Sequence, residues 1–255
     1  MHKEDITKMY YKGYITYKNK ASNSFTGFKL IMTTPPEYVH SEIKHDTYNI
    51  PGRDGELYSK NTYRGNATIK VSFDIVTTGA VANYTTALNQ IYLWLSGTGN
   101  LIISDEPGAF YEVKKVIITT DQRTIVRYGK IDVEFVVYPY KFLDQSQQST
   151  TALTIINNYD ECYPLYEYIA LYAGQTETLT VNNSTMTIYM LQNYSKAYID
   201  TRKKIAYHVS GQGLKTEILV DGDYEKLKFA ANSTNILSTT NSSVLSTLPR
   251  WGYKI

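Results

Sequence analysis

Thr68-Ile69-Lys70-Val71-Ser72-Phe73-Asp74-Ile75 is the stretch that decides the fold class of this 255-residue chain. Every second residue from Ile69 to Ile75 is apolar. Side chains of a β-strand alternate between the two faces of a sheet, so these apolar side chains share one face and the polar ones share the other. The stretch therefore predicts a long strand that covers a hydrophobic core on one side only.

A second strand with the same alternation is predicted over Ile131–Tyr138 and is expected to end at Pro139. Its apolar positions alternate with Asp132 and Glu134, which point to the opposite face. The simplest interpretation of these two carboxylates is an ordinary solvated strand face.

Between these strands, residues 81–96 change from a two-residue to a helical period, which predicts one amphipathic helix. Gly97-Thr98-Gly99 follows it and is typical of a helix end. A phosphate-binding loop precedes its helix, so this glycine pair is not interpreted as one. The helical spacing is carried by Tyr84, Leu88, Ile91 and Leu95.

The chain is long enough for two domains. The polar, aperiodic segment 143–151 is predicted to be a linker, with one domain over 1–142 and a second over 152–255. The second domain shows only short strand signals, among them Leu227–Phe229, separated by turn signals such as Asn182-Asn183. This pattern predicts a mainly β protein whose second domain is a β-sandwich.

Composition excludes several functions. The formal net charge is only +2, with no basic patch to grip phosphates, so specific nucleic-acid binding is not expected. Cys162 is the single cysteine, and the four histidines show no ligand spacing, so we expect no metal site and no cofactor. The charged N-terminus and the lack of a long apolar run predict synthesis in the cytoplasm and no membrane insertion.

No motif for a catalytic nucleophile, a nucleotide or a metal is present, so no catalytic residue is predicted. Two carboxylate pairs remain as candidates for glycoside hydrolysis, Asp132 with Glu134 and Glu161 with Glu167. Trp251 is a candidate sugar platform in the second domain. The alternative function is therefore a carbohydrate-binding module or a glycan-active protein.

The order of motifs is similar to that of a known family. Ile50–Leu57 with its Pro-Gly-Arg-Asp-Gly core, Gly65–Val71, the helix and Gly129–Phe135 together resemble the distal tail protein of siphophages that infect Gram-positive bacteria. In the second half, Leu248-Pro249-Arg250-Trp251 resembles that family's C-terminal module. The chain departs from the family at Ala230-Ala231-Asn232, where a glycine often precedes the asparagine.

The resemblance implies a non-enzymatic structural protein of the virion at the distal end of the tail. Its N-terminal domains, a tail-tube-like β-sandwich with one helix, are expected to form a homohexameric ring, and its C-terminal domain is expected to be galectin-like. The implied partners are further copies of the chain, the major tail tube protein and the tail-associated hub or lysin protein. The tape measure and receptor-binding proteins are further candidates.

Two sets of residues are predicted to serve this ring. The loop over residues 49–65 is expected to reach a neighbouring subunit through Pro51, Gly52, Arg53, Asp54 and Gly55, because fixed turns punctuate it and it lacks core residues. Asp74, Asp132 and Glu134 are expected to line the channel, where negative charge would keep DNA phosphates from sticking.

Overall fold

The computed structural model of the protein describes residues 11–52, 54–77, 81–125, 127–169, 174–190, 196–240 and 244–255. Strands dominate, and the described residues contain one α-helix, which confirms the predicted mainly β fold. The chain divides into two compact units. Unit 1 runs up to Lys141 and includes Ile255, and unit 2 comprises Phe142–Lys254.

The segment predicted to be a linker contains regular structure. Asp144–Gln147 form a 3-10 helix, and Thr150 pairs with Thr247 of unit 2. The functions assigned to the two predicted domains stay predictions.

In its described residues, unit 1 consists of one large β-sheet, a separate two-stranded hairpin and one helix. In chain order its elements are β1 (Ile15–Tyr17), β2 (Lys20–Ala21), β3 (Phe28–Met32), β4 (Glu37–Val39), β5 (Ile43–Tyr48), β6 (Leu57–Arg64), β7 (Ala67–Thr77), α1 (Val81–Leu95), β8 (Gly99–Ile103), β9 (Ala109–Ile125) and β10 (Tyr128–Leu143), the last of which continues into unit 2.

The main sheet of unit 1 has the strand order β2-β1-β8-β9-β10-β7-β3, and β4 also pairs with β7. At its centre β7 and β10 pair antiparallel from Val76 opposite Tyr128 to Ala67 opposite Val137. Buried and half-buried residues alternate along the whole of β7, which confirms the strand predicted from residues 68–75. This central pair fixes which side chains reach the core and which face outward.

Helix α1 lies on the core side of this sheet. Its buried residues belong to the same hydrophobic cluster as the inward side chains of β7 and β10. The indole Nε1 of Trp94 donates a hydrogen bond to the carbonyl oxygen of Tyr17 at 3.1 Å. Gly97 adopts a left-handed φ of 79°, as the helix end requires. No helix in the described part of the chain is long and apolar enough to cross a membrane.

The predicted end of the second long strand at Pro139 is wrong. β10 continues through Pro139 to Leu143. Proline lacks a backbone donor but keeps its acceptor, and the carbonyl of Pro139 accepts a hydrogen bond from the backbone N–H of Ile255 at 3.2 Å. The strand therefore passes the proline at a position that needs only an acceptor.

Unit 2 consists of short strands. In chain order they are β11 (Thr154–Asn157), β12 (Leu165–Ile169), β13 (Thr176–Val181), β14 (Ser184–Tyr189), β15 (Lys196–Asp200), β16 (Ile205–Val209), β17 (Lys215–Glu217), β18 (Val220–Asp221), β19 (Ser233–Thr239), β20 (Val244–Leu248) and β21 (Gly252–Lys254).

Ten of these strands, β11–β20, form two five-stranded sheets, in the orders β11-β19-β13-β14-β18 and β17-β16-β15-β12-β20. We call the first the β13 sheet and the second the β15 sheet. Alternate residues of both sheets enter one buried cluster, with Leu179 and Met186 from the β13 sheet and Tyr166 and Ile199 from the β15 sheet. Two sheets that share one core make unit 2 a β-sandwich, as the sequence predicted.

The strand predicted at Leu227–Phe229 is replaced by a 3-10 helix over Tyr224–Leu227. The carboxylate of Asp223 accepts a hydrogen bond from the backbone N–H of Glu225 at 2.9 Å and caps this turn. Leu227 and Phe229 are both fully buried. The apolar residues at these alternate positions are therefore buried in the core, but they do not belong to a continuous β-strand.

One ion pair is buried in unit 2. The guanidinium of Arg250 contacts both carboxylate oxygens of Asp200, at 2.7 and 3.0 Å. Burial by itself would raise the pKa of Asp200, but the two hydrogen bonds and the charge of Arg250 outweigh it and lower that pKa. Asp200 also accepts a hydrogen bond from the backbone N–H of Lys203, so the pair ties Arg250 to the turn that follows β15.

Replacing Gly129 in β10 by alanine should destabilise unit 1 by roughly 1–3 kcal/mol, because an added Cβ overpacks a filled site. That Cβ would lie 1.7 Å from the hydroxyl of Tyr84 and 2.9 Å from the carbonyl oxygen of Gln122. Tyr84→Phe should recover part of the loss by removing the closest atom. The measurement is urea denaturation of the two single variants and the double variant.

The matched control is Gly65→Ala, since the nearest atom to its added Cβ is 3.5 Å away. Its free energy of unfolding should stay within about 0.5 kcal/mol of the wild type. Equal effects of Gly129→Ala and Gly65→Ala would contradict the packing described above.

Arg250→Leu should lower the free energy of unfolding at pH 7 by roughly 3–5 kcal/mol, because it leaves the buried Asp200 carboxylate with the exposed ammonium of Lys203, 4.0 Å away, as a counter-charge in place of the guanidinium. The folded pKa of Asp200 is depressed, so its contribution is full above the unfolded pKa, about 3.9, and is lost as pH falls through the folded pKa. The difference in the free energy of unfolding between wild type and variant should therefore decrease below about pH 4. Denaturation curves at pH 7 and pH 3 measure it, and a difference independent of pH would refute this account.

Candidate assembly surfaces

A two-stranded hairpin extends from unit 1. β5 and β6 pair with each other, and the described residues give them no further strand partner. Their register runs from Ile43 opposite Arg64 to Tyr48 opposite Leu57. At the base, the backbone N–H of Gly65 donates to the carbonyl oxygen of Glu42 at 3.0 Å. The chain thus enters and leaves the hairpin at one closed point.

The hairpin exposes large apolar side chains. Every residue of β5 is exposed, and Tyr58 on β6 is 66% exposed. Tyr58 packs edge-on against the ring of His45, with the ring centres 5.7 Å apart. Exposed apolar surface of this extent is typical of surfaces that contact another chain. The other large apolar residues exposed on the hairpin and its tip are Ile43, Tyr48, Ile50 and Tyr63.

The predicted interface residues lie at the tip of this hairpin. Pro51, Gly52, Asp54 and Gly55 are all exposed. Gly52 and Gly55 have φ angles of 82° and 85°, in the left-handed region that favours glycine. Arg53 lies outside the described residues. The tip therefore has a fixed turn, and its role in subunit contact stays a prediction.

The segment 49–65 is not a continuous loop as predicted, because its second half is strand β6. The sequence signal failed since the side chains of the hairpin whose burial the structure describes form no buried face, so no apolar alternation marks it. The tyrosines of β6 were missed for the same reason. The available signal was the excess of tyrosine over phenylalanine, 25 against 7, which favours contact surfaces.

Asp74, Asp132 and Glu134 share the outward face of the β7–β10 pair. In the strand register Lys130 lies opposite Asp74 and Lys70 lies opposite Glu134. Lys130 also contacts Asp132 at 3.2 Å. The outward face is therefore a balanced array of both charges and is not uniformly acidic.

Asp132 is held in its ionised form. Partial burial would raise its pKa, but hydrogen bonds from Ser72 and Lys130 and the charge of Lys130 lower the pKa below its ordinary value. The Ser72 hydroxyl donates at 2.6 Å. This carboxylate stays negative through the physiological pH range.

The carboxylates suggested for glycoside hydrolysis are engaged in ion pairs. Glu161 contacts Lys228 at 2.8 Å and Lys254 at 3.0 Å, and Glu167 contacts Lys196. Although burial acts to raise the pKa of Glu161, both lysines together lower it. A general acid for this reaction needs a raised pKa, so Glu161 is not prepared for that role.

Cys162 is buried in unit 2, and desolvation, with a smaller effect of Glu161, raises the pKa of its thiol to about 12. A thiol in that state is not an activated nucleophile. In the ranges that the structure describes, no group of three or more His, Cys, Asp or Glu side chains is placed to hold a metal ion.

Trp251 packs into the edge of the core of unit 2. Its ring lies 5.9 Å from that of Tyr159 and 6.2 Å from that of Phe229. The ring is only partly exposed and contacts the hydrophobic cluster. These contacts give Trp251 a packing role that accounts for its position without a sugar ligand.

Comparison with known proteins assigns the first half of the chain to a family. Residues 10–137 match the family described as phage tail protein RIFT-related domain. None of the curated proteins compared with the sequence matches it.

A solved structure of a phage protein shares the fold. The SPP1 Dit (gp 19.1) protein, described as a paradigm of the hub adsorption apparatus in phages that infect Gram-positive bacteria, superposes with a TM-score of 0.66 at 12% identity. The match covers 92% of this chain and 97% of that one. A chain of the phage p2 baseplate in its activated conformation with Sr gives a TM-score of 0.48 at 6% identity, over 92% and 96% of the two chains.

Proposed function

Because the chain belongs to the phage tail protein RIFT-related domain family and is a structural component of a phage tail, we propose that it is the distal tail protein. In this proposal six copies form a ring at the distal end of the tail, and the ring joins the tail tube to the hub of the tail tip. DNA passes through its centre. The observation that carries the proposal is the exposed hairpin of β5 and β6.

The hairpin supports ring formation because its apolar side chains lack cover within the described part of the chain. Covering them removes apolar surface from water, which is worth about 25 cal/mol per Å². A neighbouring copy offers that cover at every position of a closed ring, and closure limits assembly to a fixed number of copies.

The sheet of unit 1 supports the same assembly. β3 is a five-residue strand at the end of the strand order, with exposed residues at Lys29 and Ile31. An end strand carries backbone donors and acceptors that another chain can pair. Copies arranged in a ring would meet these groups without leaving an open end for aggregation.

The outward face of β7 and β10 is proposed to line the channel. Its carboxylates and lysines alternate, so phosphates that approach any one lysine also meet a carboxylate nearby. Such balanced charge gives DNA no continuous basic track to bind.

The proposed partners are the major tail tube protein, the tail-associated hub or lysin protein, the tape measure protein and receptor-binding proteins. Unit 2 is proposed to be a galectin-like module that holds the receptor-binding proteins. The protein acts in the virion after synthesis in the host cytoplasm. It is proposed to be non-enzymatic, in keeping with the ion pairs that lower the pKa values of Glu161 and Asp132.

Replacing residues 43–64 by a two-residue Gly-Ser turn should abolish the ring and leave a folded subunit. The hairpin closes at the hydrogen bond between Gly65 and Glu42, and its residues lie outside the core cluster of unit 1. Native mass spectrometry should show six copies for the wild type and one for the variant. Circular dichroism should show that the variant keeps its β-structure.

Two further variants sharpen this test. Replacing Pro51–Gly55 by an equal length of Gly-Ser keeps the strands and shows whether the tip makes the contact. The control replaces Ser210–Leu214, the turn between β16 and β17, in the same way by an equal length of Gly-Ser. This variant should keep the hexamer. A hexamer that survives loss of residues 43–64 would refute the role of the hairpin.

A gold label on Glu134→Cys should lie inside the central opening of the ring. The introduced thiol is the reactive one, because Cys162 is buried and its pKa is raised to about 12. Electron microscopy of labelled rings locates the gold. The control label on Ile205→Cys, in unit 2, should lie away from the opening, and gold from Glu134→Cys at the outer margin would make the channel assignment wrong.

A further inference from the structure

The two outer faces of the sandwich in unit 2 differ in chemistry. On the β15 sheet the strand register aligns Ser246, Glu167, Tyr198, Tyr207 and Glu217 in one row across the strands. Lysines flank this row, with Lys196 near the ring of Tyr198 and Lys215 near that of Tyr207. This face is charged, as an ordinary solvated surface is.

The outer face of the β13 sheet carries almost no charge. Among its described residues there is no lysine or arginine, and Asp221 on the end strand is the one carboxylate. The register places the following outward residues on it: Thr154, Ile156, Thr176, Thr178, Thr180, Thr185, Thr187, Tyr189, Thr234, Ile236, Ser238 and Asp221. We call this set the threonine face. Depletion of charge is the mark of the centre of a protein contact.

Exposed aliphatic side chains lie at two opposite corners of the threonine face. Ile156 and Ile236 are 62% and 60% exposed, and Leu219, next to Tyr189, is 71% exposed. The backbone N–H of Asn182, one residue beyond the end of β13, bonds to the carbonyl of Ile236. Tyr189 instead lies opposite Thr176 at the start of β13. The apolar corners are therefore diagonal to each other, with threonines between them.

We propose that the threonine face packs against the threonine face of a second copy of this chain. A two-fold axis along either diagonal would place apolar corners on apolar corners and threonines on threonines. The strands of the two copies would then cross at nearly a right angle, which is one of the two ways in which sheets pack. Because the one described charge of the face, Asp221, lies on the end strand, the contact can form without burying a charge at its centre.

The hydroxyl groups suit this contact. The side chains of Thr180 and Thr185 already lie 3.0 Å apart and share a hydrogen bond. Threonines on a facing sheet would provide the same donors and acceptors. A neutral glycan fits less well, because sugar rings stack on aromatic side chains and Tyr189, at a corner, is the one aromatic ring of the threonine face in the described residues.

The size of the face sets the strength of the contact. Five strands about 4.8 Å apart, with 25 residues in all at about 3.4 Å each, give on the order of 400 Å² in projection. Stable interfaces bury about 800 Å² per partner, so the pair should be weak and should form in a concentration-dependent way. The proposal concerns unit 2 alone and does not rest on the hairpin of unit 1.

The test is sedimentation velocity of the full chain over a range of concentrations. The wild type should show two species, one with twice the mass of the other. The fraction of protein in the larger species should rise with concentration. Ile236→Lys and Leu219→Lys, at opposite corners, should each weaken this doubling at least tenfold. Both side chains are mostly exposed, so the variants should keep the wild-type melting temperature.

The matched control is Ile205→Lys, the same change at an exposed position of the charged outer face. This variant should form the species of doubled mass to the same extent as the wild type. The variant without residues 43–64 separates this contact from the ring, since it should still pair from one chain to two. Doubling that persists in both corner variants would overturn the proposal. A wild type that shows no doubling up to millimolar concentration would also overturn it and leave the face to a different partner.

Discussion

The antiparallel pairing of β7 with β10 is the interaction on which the rest of unit 1 depends. It aligns two long strands over ten residue pairs, so that one row of side chains enters the core and the other faces outward. The inward row gives α1 a surface to cover, and the buried cluster joins residues of both. A one-residue shift in this register would turn every apolar side chain to the outside, so core burial itself holds the register.

The same alternation leaves each sheet with a second, outward face. The outward faces of the β7–β10 pair, the β15 sheet and the β13 sheet differ in chemistry. On β7 and β10, lysines stand opposite carboxylates, which keeps the face solvated and balanced. The β15 sheet combines stacked tyrosines, 5.3 Å apart between ring centres, with flanking charges. The threonine face has neither arrangement. Its hydroxyl and methyl groups need no counter-charge, so the desolvation cost of covering it stays small where the facing surface provides hydrogen bonds to the hydroxyl groups.

Sequence reasoning worked where burial imposes a period. The strand from Ile69 to Ile75 and the helix marked by Ile91 and Leu95 were predicted because each has one buried face. It failed where burial gives no signal. The described side chains of the hairpin form no inward face. Pro139 keeps its place in β10 through an acceptor bond that depends on Ile255, more than a hundred residues later in the chain. The pairing of Lys70 with Glu134 and of Lys130 with Asp74 likewise depends on strand register, which no local pattern reveals.

The hairpin of β5 and β6 has little stability of its own in the isolated subunit. A two-stranded hairpin without a third strand or a covering layer is only marginally stable in water, because the few cross-strand contacts barely offset the loss of backbone entropy. Here the register also shifts between His45 and Thr47, which weakens the ladder further. In the proposed ring, part of the free energy gained when a neighbouring copy covers the tyrosines is therefore spent on ordering the hairpin. Association through this element would be coupled to its own folding, so the affinity of the proposed contact would reflect the intrinsic stability of the hairpin as well as the area that the contact buries.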